Sequence, residues 1–222
     1  MNRKELADAI HSFDIKTYNK RIKPYEDIRK KFVKQFSVRN IPEMSLDEYI
    51  IGKQSKTSFC YILEHTLAPL GNMIGANASK FGIYYSSKTG QYEVSKIWTA
   101  KNVQESFWVL KKELIQLIEA GEREDFDIIR TTRISPMFKG KILSTYFPEK
   151  YLGVFSGTHL DYFIHFLELD HMIGGCRDIF DKRNALLNFK NNDSTMATWS
   201  LHAFVNFLYE KYPCAPKKGE EI

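Results

Sequence analysis

The stretch 58–98, SFCYILEHTLAPLGNMIGANASKFGIYYSSKTGQYEVSKIW, constrains the fold more than any other part of the chain. Phe59, Ile62, Leu63, Thr66, Leu67 and Leu70 recur at three- and four-residue steps, which predicts a helix with one apolar face that Gly71 ends. After Gly71-Asn72-Met73-Ile74-Gly75 the period changes to two, with Phe81, Ile83 and Tyr85 alternating with Gly82 and Tyr84. Ser86-Ser87-Lys88-Thr89-Gly90 then turns the chain into Tyr92-Glu93-Val94-Ser95-Lys96-Ile97-Trp98, so a β-hairpin is expected over about 81–98. Its aromatics, flanked by lysines, either pack as core or present a recognition surface.

Elsewhere the pattern is helical. Leu6, Ile10 and Phe13 mark a short amphipathic segment, and Asp14 suits the start of the next helix. That next segment is the most basic in the chain: Lys16, Lys20, Arg21, Lys23, Arg29, Lys30, Lys31 and Lys34 accompany Ile15, Tyr18, Ile22, Tyr25, Ile28, Phe32 and Phe36. Pro24 is expected to break or kink it, and its charge is either a solvated face or a phosphate-contacting edge. Ser45 and Glu48 have the spacing of a capping box for the short helix LDEYI. Val103, Phe107, Leu110, Leu114, Leu117 and Ile118 predict a long helix ending at Gly121, followed by a short helical segment over 124–131. Pro136, after Ser135, suits a first helical position. A helix through Ile142, Leu143 and Tyr146 is stopped by Pro148, and Ser156 or Thr158 caps the one after it. Between them Tyr151-Leu152-Gly153-Val154-Phe155 reads as extended and offers the hairpin a third strand at about 151–155. Helices over 179–189 and 199–212 complete an α+β fold, predominantly helical with a small antiparallel β-sheet. One globular domain is expected over 1–212, with a basic helical part at 1–40 and a linker-like tail at 213–222.

Composition excludes several classes of function. With 222 residues, 43% of them hydrophobic, the chain can bury a core. A net charge of +5 permits phosphate contact without a histone-like excess, and 14% aromatics supply either stacking platforms or a well-filled core. Cys60, Cys176 and Cys214 are odd in number and form no CxxC pair, so neither a disulfide framework nor a zinc site is indicated and a cytoplasmic setting is expected. No run approaches a membrane-spanning length, and the N-terminus lacks the apolar core of a secretory signal. Gly140-Lys141 is followed by Ile142, which rules out a P-loop, and the Gly174-Gly175 pair follows no strand, which rules out a dinucleotide fingerprint. Asp14-Ile15-Lys16 has the acid-x-lysine spacing of metal-dependent nucleases but sits at a helix start. His159 and His165 fall on different faces of a helix, and Asp161 with His165, at i and i+4, reads as a surface pair. No catalytic centre, metal or cofactor is expected.

Three strings, FSVRNIPEMSLDEYI, SFCYILEHTLAPLGNMIGANASKFGIYY and KILSTYFPEKYLGVFSGTHLDYFI, resemble the N-terminal DNA-recognition module of McrB-like AAA+ proteins and related modification-dependent (type IV) restriction proteins of bacteria. The chain departs from that family's pattern at Gly75-Ala76 and at Gly153. The resemblance implies a cytoplasmic, non-enzymatic DNA-binding domain of a bacterial restriction or anti-phage defence protein. Its partner would be double-stranded DNA, with modified bases as one class, and a motor or nuclease domain would lie in the same chain or on a partner subunit. Reading a flipped base requires an aromatic slot, polar groups for the base edge and cations for the flanking phosphates. On that implication Lys80, Lys88, Lys96, Lys139 and Lys141 contact phosphate, Tyr84, Tyr85 and Trp98 stack, and Ser156, Thr158 and His159 make polar contacts. The alternative is a protein–protein interaction or assembly domain of a defence complex, docking a partner on the aromatic hairpin.

Overall fold

The computed structural model describes residues 3–75, 77–173 and 178–212. Ala76, the Gly174-Gly175 pair, Cys176, Cys214 and the expected tail at 213–222 lie outside the described residues. The fold is α+β and predominantly helical, with a two-stranded antiparallel sheet. Its α-helices are α1 (Arg3–Ser12), α2 (Ile15–Gln35), α3 (Leu46–Tyr49), α4 (Phe59–Tyr61), α5 (Val103–Arg123), α6 (Phe126–Thr131), α7 (Pro136–Tyr146), α8 (Gly157–Phe166), α9 (Ile179–Asn192) and α10 (Leu201–Lys211). The chain packs as two compact units: a hairpin unit over 23–147, and a terminal unit from the described residues of 1–22 and 148–222.

In the hairpin unit the central stretch forms the hub. Ser45 and Glu48 close the expected capping box on α3, and Ser58 caps α4. The helical path then continues outside α geometry: a π-turn over Ile62–Thr66 and a 3-10 turn over Ala68–Leu70 lead to Gly71. Phe59 is buried at the centre of an aromatic core, its ring 5.1 Å from Phe32, 5.2 Å from Phe36, 5.7 Å from Tyr49 and 6.3 Å from Phe138. Each such pair adds about 0.5–1.5 kcal/mol to the burial itself. Strand β1 (Ile83–Ser86) pairs with β2 (Gln91–Val94), with Ile83 opposite Val94 and Tyr85 opposite Tyr92. The strands are shorter than the hairpin expected from sequence because 3-10 turns occupy Ala78–Phe81 and Lys96–Trp98. Gly82 is what lets these pieces meet: it sits at φ +81°, and a Cβ there would lie 2.7 Å from the Trp98 indole nitrogen and 2.8 Å from Leu110.

Three expectations are corrected. Helix α5 does not stop at Gly121 but runs through it to Arg123, because a bare Cα is needed there: a Cβ would lie 2.4 Å from Leu143 and 3.0 Å from Phe147. Pro24 does not break α2; it is exposed, as is Lys20, whose carbonyl loses its amide partner on the water side. Among the described residues the sheet has two strands, and Tyr151 to Phe155 is not a third. That run is buried in the terminal unit without strand pairing, and the Arg183 guanidinium donates to the Val154 carbonyl at 2.9 Å in place of a neighbouring strand.

The terminal unit has its own aromatic cluster. The Phe13 ring lies 4.9 Å from Trp199 and 5.6 Å from Phe207, and the Phe163 ring lies 5.1 Å from Tyr209. Asp14 accepts the Thr17 amide at 3.0 Å and so starts α2, while Ser156 rather than Thr158 caps α8. Among the described residues no helix is long and apolar enough to cross a membrane.

Candidate nucleic-acid interface

The lysines of the hairpin unit divide into two classes by what surrounds them. Lys139 and Lys141 stand two residues apart on α7, about 200° around the helix, and so point to different neighbours. Lys141 is 0% exposed, and its ammonium donates to the carbonyls of Leu67 at 2.6 Å, Gly71 at 2.7 Å and Leu70 at 3.4 Å. Burial pushes its pKa down to about 7. Lys139 does the same for the end of α6, donating to Ile129 at 2.6 Å, Thr132 at 3.1 Å and Arg130 at 3.3 Å, and burial lowers its pKa too. The physical cause is common to both. A helix end leaves carbonyls without amide partners, and in a dry core a buried ammonium supplies three donors at once. Lys80 is also buried, paired with the Glu64 carboxylate and 3.2 Å from the Met73 carbonyl. Assigning Lys80, Lys139 and Lys141 to phosphate is therefore corrected: each ammonium is held inside the unit.

Trp98 is corrected likewise. It is 4% exposed, lies against Gly82 and carries the Arg133 guanidinium 4.8 Å over its ring, so no base can stack on it. Tyr85 meets Tyr92 edge-on at 5.6 Å, and its hydroxyl donates to the Gly90 carbonyl at 3.0 Å. The Tyr92 hydroxyl donates to Asp47 at 2.8 Å and accepts from Lys53 at 2.6 Å, and the Lys53 ammonium, donating to Asp47 at 2.8 Å, together with Tyr92 holds the Asp47 carboxyl below its usual range. Tyr84, opposite Glu93, lies on the other face of the hairpin and is half-exposed. Lys88 in the hairpin turn and Lys96 just after β2 are exposed. Ser156, Thr158 and His159 belong to the terminal unit. Ser156 accepts the His159 amide at 3.3 Å, Thr158 is half-buried, and the His159 ring is 2.9 Å from the Tyr209 hydroxyl with its pKa lowered by burial.

The structure adds residues to the surface of the hairpin unit. Trp108 on α5 is 56% exposed with the Lys112 ammonium 3.4 Å above its ring, a cation–π contact, and Ile97 is 59% exposed. Lys101 is exposed as well. Their signal in the sequence is phase: Trp108 falls one residue off the apolar series Val103, Phe107, Leu110 and Leu114, which turns it outward. Over 88–112 five lysines face only Glu93 and Glu105, a net of +3. A groove of about 400 Å³ borders this region, lined by Leu46, Asp47, Tyr92, Gln104, Phe107 and Lys111. Lys111 is itself engaged, donating to the carbonyls of Pro42 at 2.5 Å and Met44 at 3.1 Å.

On α2, Lys16, Lys20, Lys23, Lys30, Lys31 and Lys34 are exposed, whereas Arg29 is held by Glu26 at 2.7 Å and donates to the Thr145 carbonyl at 3.0 Å. Cys60 is fully buried and burial pushes its thiol pKa well up, which is the environment of an inert cysteine rather than a nucleophile. Asp161 pairs with Lys182 rather than His165, and His165 lies 3.5 Å from Asp170. Among the described residues no group of three or more His, Cys, Asp or Glu side chains is placed to hold a metal ion. Comparison of the chain with protein-family models, with curated proteins and with solved structures finds no match.

Proposed function

We propose that this chain is a non-enzymatic DNA-binding module of a bacterial restriction or anti-phage defence protein, contacting the duplex through its hairpin unit. The observation that carries the reading is a set of exposed cations: Lys88, Lys96, Lys101 and Lys112 lie in the stretch 84–112, of net +3, which also holds half-exposed Tyr84 and exposed Trp108, one face of which Lys112 covers. Exposed ammonium groups interleaved with aromatic faces suit phosphate and base contact respectively. Likeness to the recognition modules of McrB-like proteins rests on the three strings named above, and supports placing a motor or nuclease in another domain or subunit. Tyr84, Tyr85 and Trp98 do not form one aromatic slot, so the reading is led by backbone contact, with modified bases as an arm of the test.

A second reading, a protein-interaction or assembly domain, is favoured by the exposed Ile97 and Trp108 side chains. The two differ in salt dependence. Four phosphate contacts give a log–log salt slope of about −3.6, a fall of roughly a hundredfold in affinity between about 50 and 200 mM salt. Binding of the purified chain to unmodified, methylated and hydroxymethylated duplexes at two salt concentrations tests this. Salt-steep binding supports the DNA reading; no binding to any duplex at low salt overturns it and directs the search to a protein partner.

A further inference from the structure

The positive charge of this chain is concentrated on one element. Helix α2 carries eight lysines and arginines against Glu26 and Asp27, a net of +6, whereas the whole chain carries +5. Within the helix the two kinds of cation part company. Arg21 donates to Asn206 at 3.0 Å, and Arg29 to Glu26 at 2.7 Å and to the Thr145 carbonyl at 3.0 Å, so both arginines brace the helix against the protein. The lysines face water. At about 100° per residue, Lys16, Lys20, Lys23, Lys30 and Lys34 all fall within about 40° of one line along α2, and the row they make is about 27 Å long. Buried Tyr18, Ile22 and Phe32 fall on the opposite side, and exposed Asp27 interrupts the row midway.

The make-up of the row indicates which partner. A helix that lies on a membrane sinks an apolar face among the headgroups, but on α2 Tyr18, Ile22 and Phe32 are buried in the protein instead. A protein interface is built round an apolar core, whereas every member of this row is charged. The backbone of a duplex is an extended line of like charges that asks only for cations along its length. The row also consists of lysines alone. Lysine is a flexible point charge, suited to phosphate but without the planar fork that reads a base edge, so such a row positions a duplex without reading its sequence.

Resting on the DNA-binding reading, we propose that α2 is a phosphate track, with Lys16, Lys20, Lys23, Lys30 and Lys34 laid along the duplex backbone in addition to the contacts of the stretch 84–112. Asp27 opposes that contact and limits its strength.

The test uses the full chain and duplexes of several sequences, titrated at several salt concentrations. Wild type is expected to give a log–log slope steeper than the value of about −3.6 for four contacts. The triple variant Lys23→Gln, Lys30→Gln, Lys34→Gln, altered only at exposed positions, is expected to keep the urea midpoint and to lower the magnitude of the slope by about 2.7 on every duplex. Asp27→Lys is expected to act in the opposite direction, steepening the slope by about 0.9 and tightening binding, a gain that misfolding does not produce. A slope that the triple variant leaves unchanged, or an Asp27→Lys variant that binds no more tightly, overturns the track while leaving DNA binding in place. Binding to poly-glutamate or to phosphatidylserine vesicles that the triple variant loses, with its DNA slope unchanged, assigns the row to another anion and likewise overturns the track alone. Absence of salt-steep binding by wild type overturns both.

Discussion

Helix α7 and the hairpin surface use the same amino acid in opposite ways. On α7 the ammonium groups of Lys139 and Lys141 are withdrawn from water and shared among three carbonyls each. On the hairpin and after it, those of Lys88 and Lys96 remain in water, and on α5 that of Lys112 lies over the exposed Trp108 ring. Taking an ammonium out of water costs several kcal/mol, so a buried lysine persists only where unpaired acceptors converge on it. The contrast teaches that a lysine beside a glycine-rich or aromatic segment is not thereby a phosphate contact. Its fate is decided by whether carbonyls at a helix end lie within reach.

The largest expected effect would break this comparison at its buried side. Lys141→Met keeps the length of the side chain but removes the donor shared by the Leu67, Leu70 and Gly71 carbonyls, of which Leu67 keeps the Leu70 amide, at about 3–5 kcal/mol of unfolding free energy. Urea unfolding measures it, and a loss under about 1 kcal/mol would mean that the buried lysine is a passenger rather than a staple. Glu64→Gln comes next. It leaves Lys80 buried beside a neutral amide, with an expected loss of about 3 kcal/mol.

Acidity sharpens the same comparison. Lys141 has a pKa near 7 in the folded state against 10.5 for the free side chain, so between those values the unfolded chain binds more protons than the folded one. Stability therefore rises as pH increases from about 7, with a slope from this group approaching about 1.4 kcal/mol per pH unit. Below pH 7 both states carry the proton and the group contributes no slope. Unfolding midpoints of wild type and Lys141→Met at pH 7, 8 and 9 check this. The difference between the two proteins must change with pH in that direction, and parallel curves would refute the titration.

Much of this architecture was readable because it depends on near neighbours. The outward phase of Trp108, the capping box of Ser45 and Glu48 and the hairpin about Ser86 to Gly90 each follow from residues within a few positions. What could not be read depends on distant partners. Lys141 meets carbonyls some seventy positions earlier in the chain, and Gly121 is kept bare by Leu143 and Phe147. The apolar run Tyr151 to Phe155 carries the same local signal whether its carbonyls meet a strand or, as here, Arg183. Among the assigned site residues, those that remain on the surface of the hairpin unit are Lys88, Lys96 and, in part, Tyr84 and Tyr85. Burial withdrew Lys80, Trp98, Lys139 and Lys141, because an aromatic or basic residue in a periodic segment does not reveal which side of the core will close over it.

The smallest effect on stability belongs to the exposed side of the comparison, and it is the most informative about function. Lys88→Ala and Lys96→Ala strand no carbonyl and open no cavity, so each is expected to shift unfolding free energy by no more than about 0.5 kcal/mol. If they contact phosphate, each removes one released counterion and reduces the magnitude of the log–log salt slope by about 0.9, uniformly across duplex sequences. Titrations at several salt concentrations read that slope directly. A variant that weakens binding equally at all salt concentrations would show that its lysine acts on a neutral contact. One that leaves both affinity and slope unchanged would place the phosphate track elsewhere, with the exposed lysines of α2 as the next to substitute.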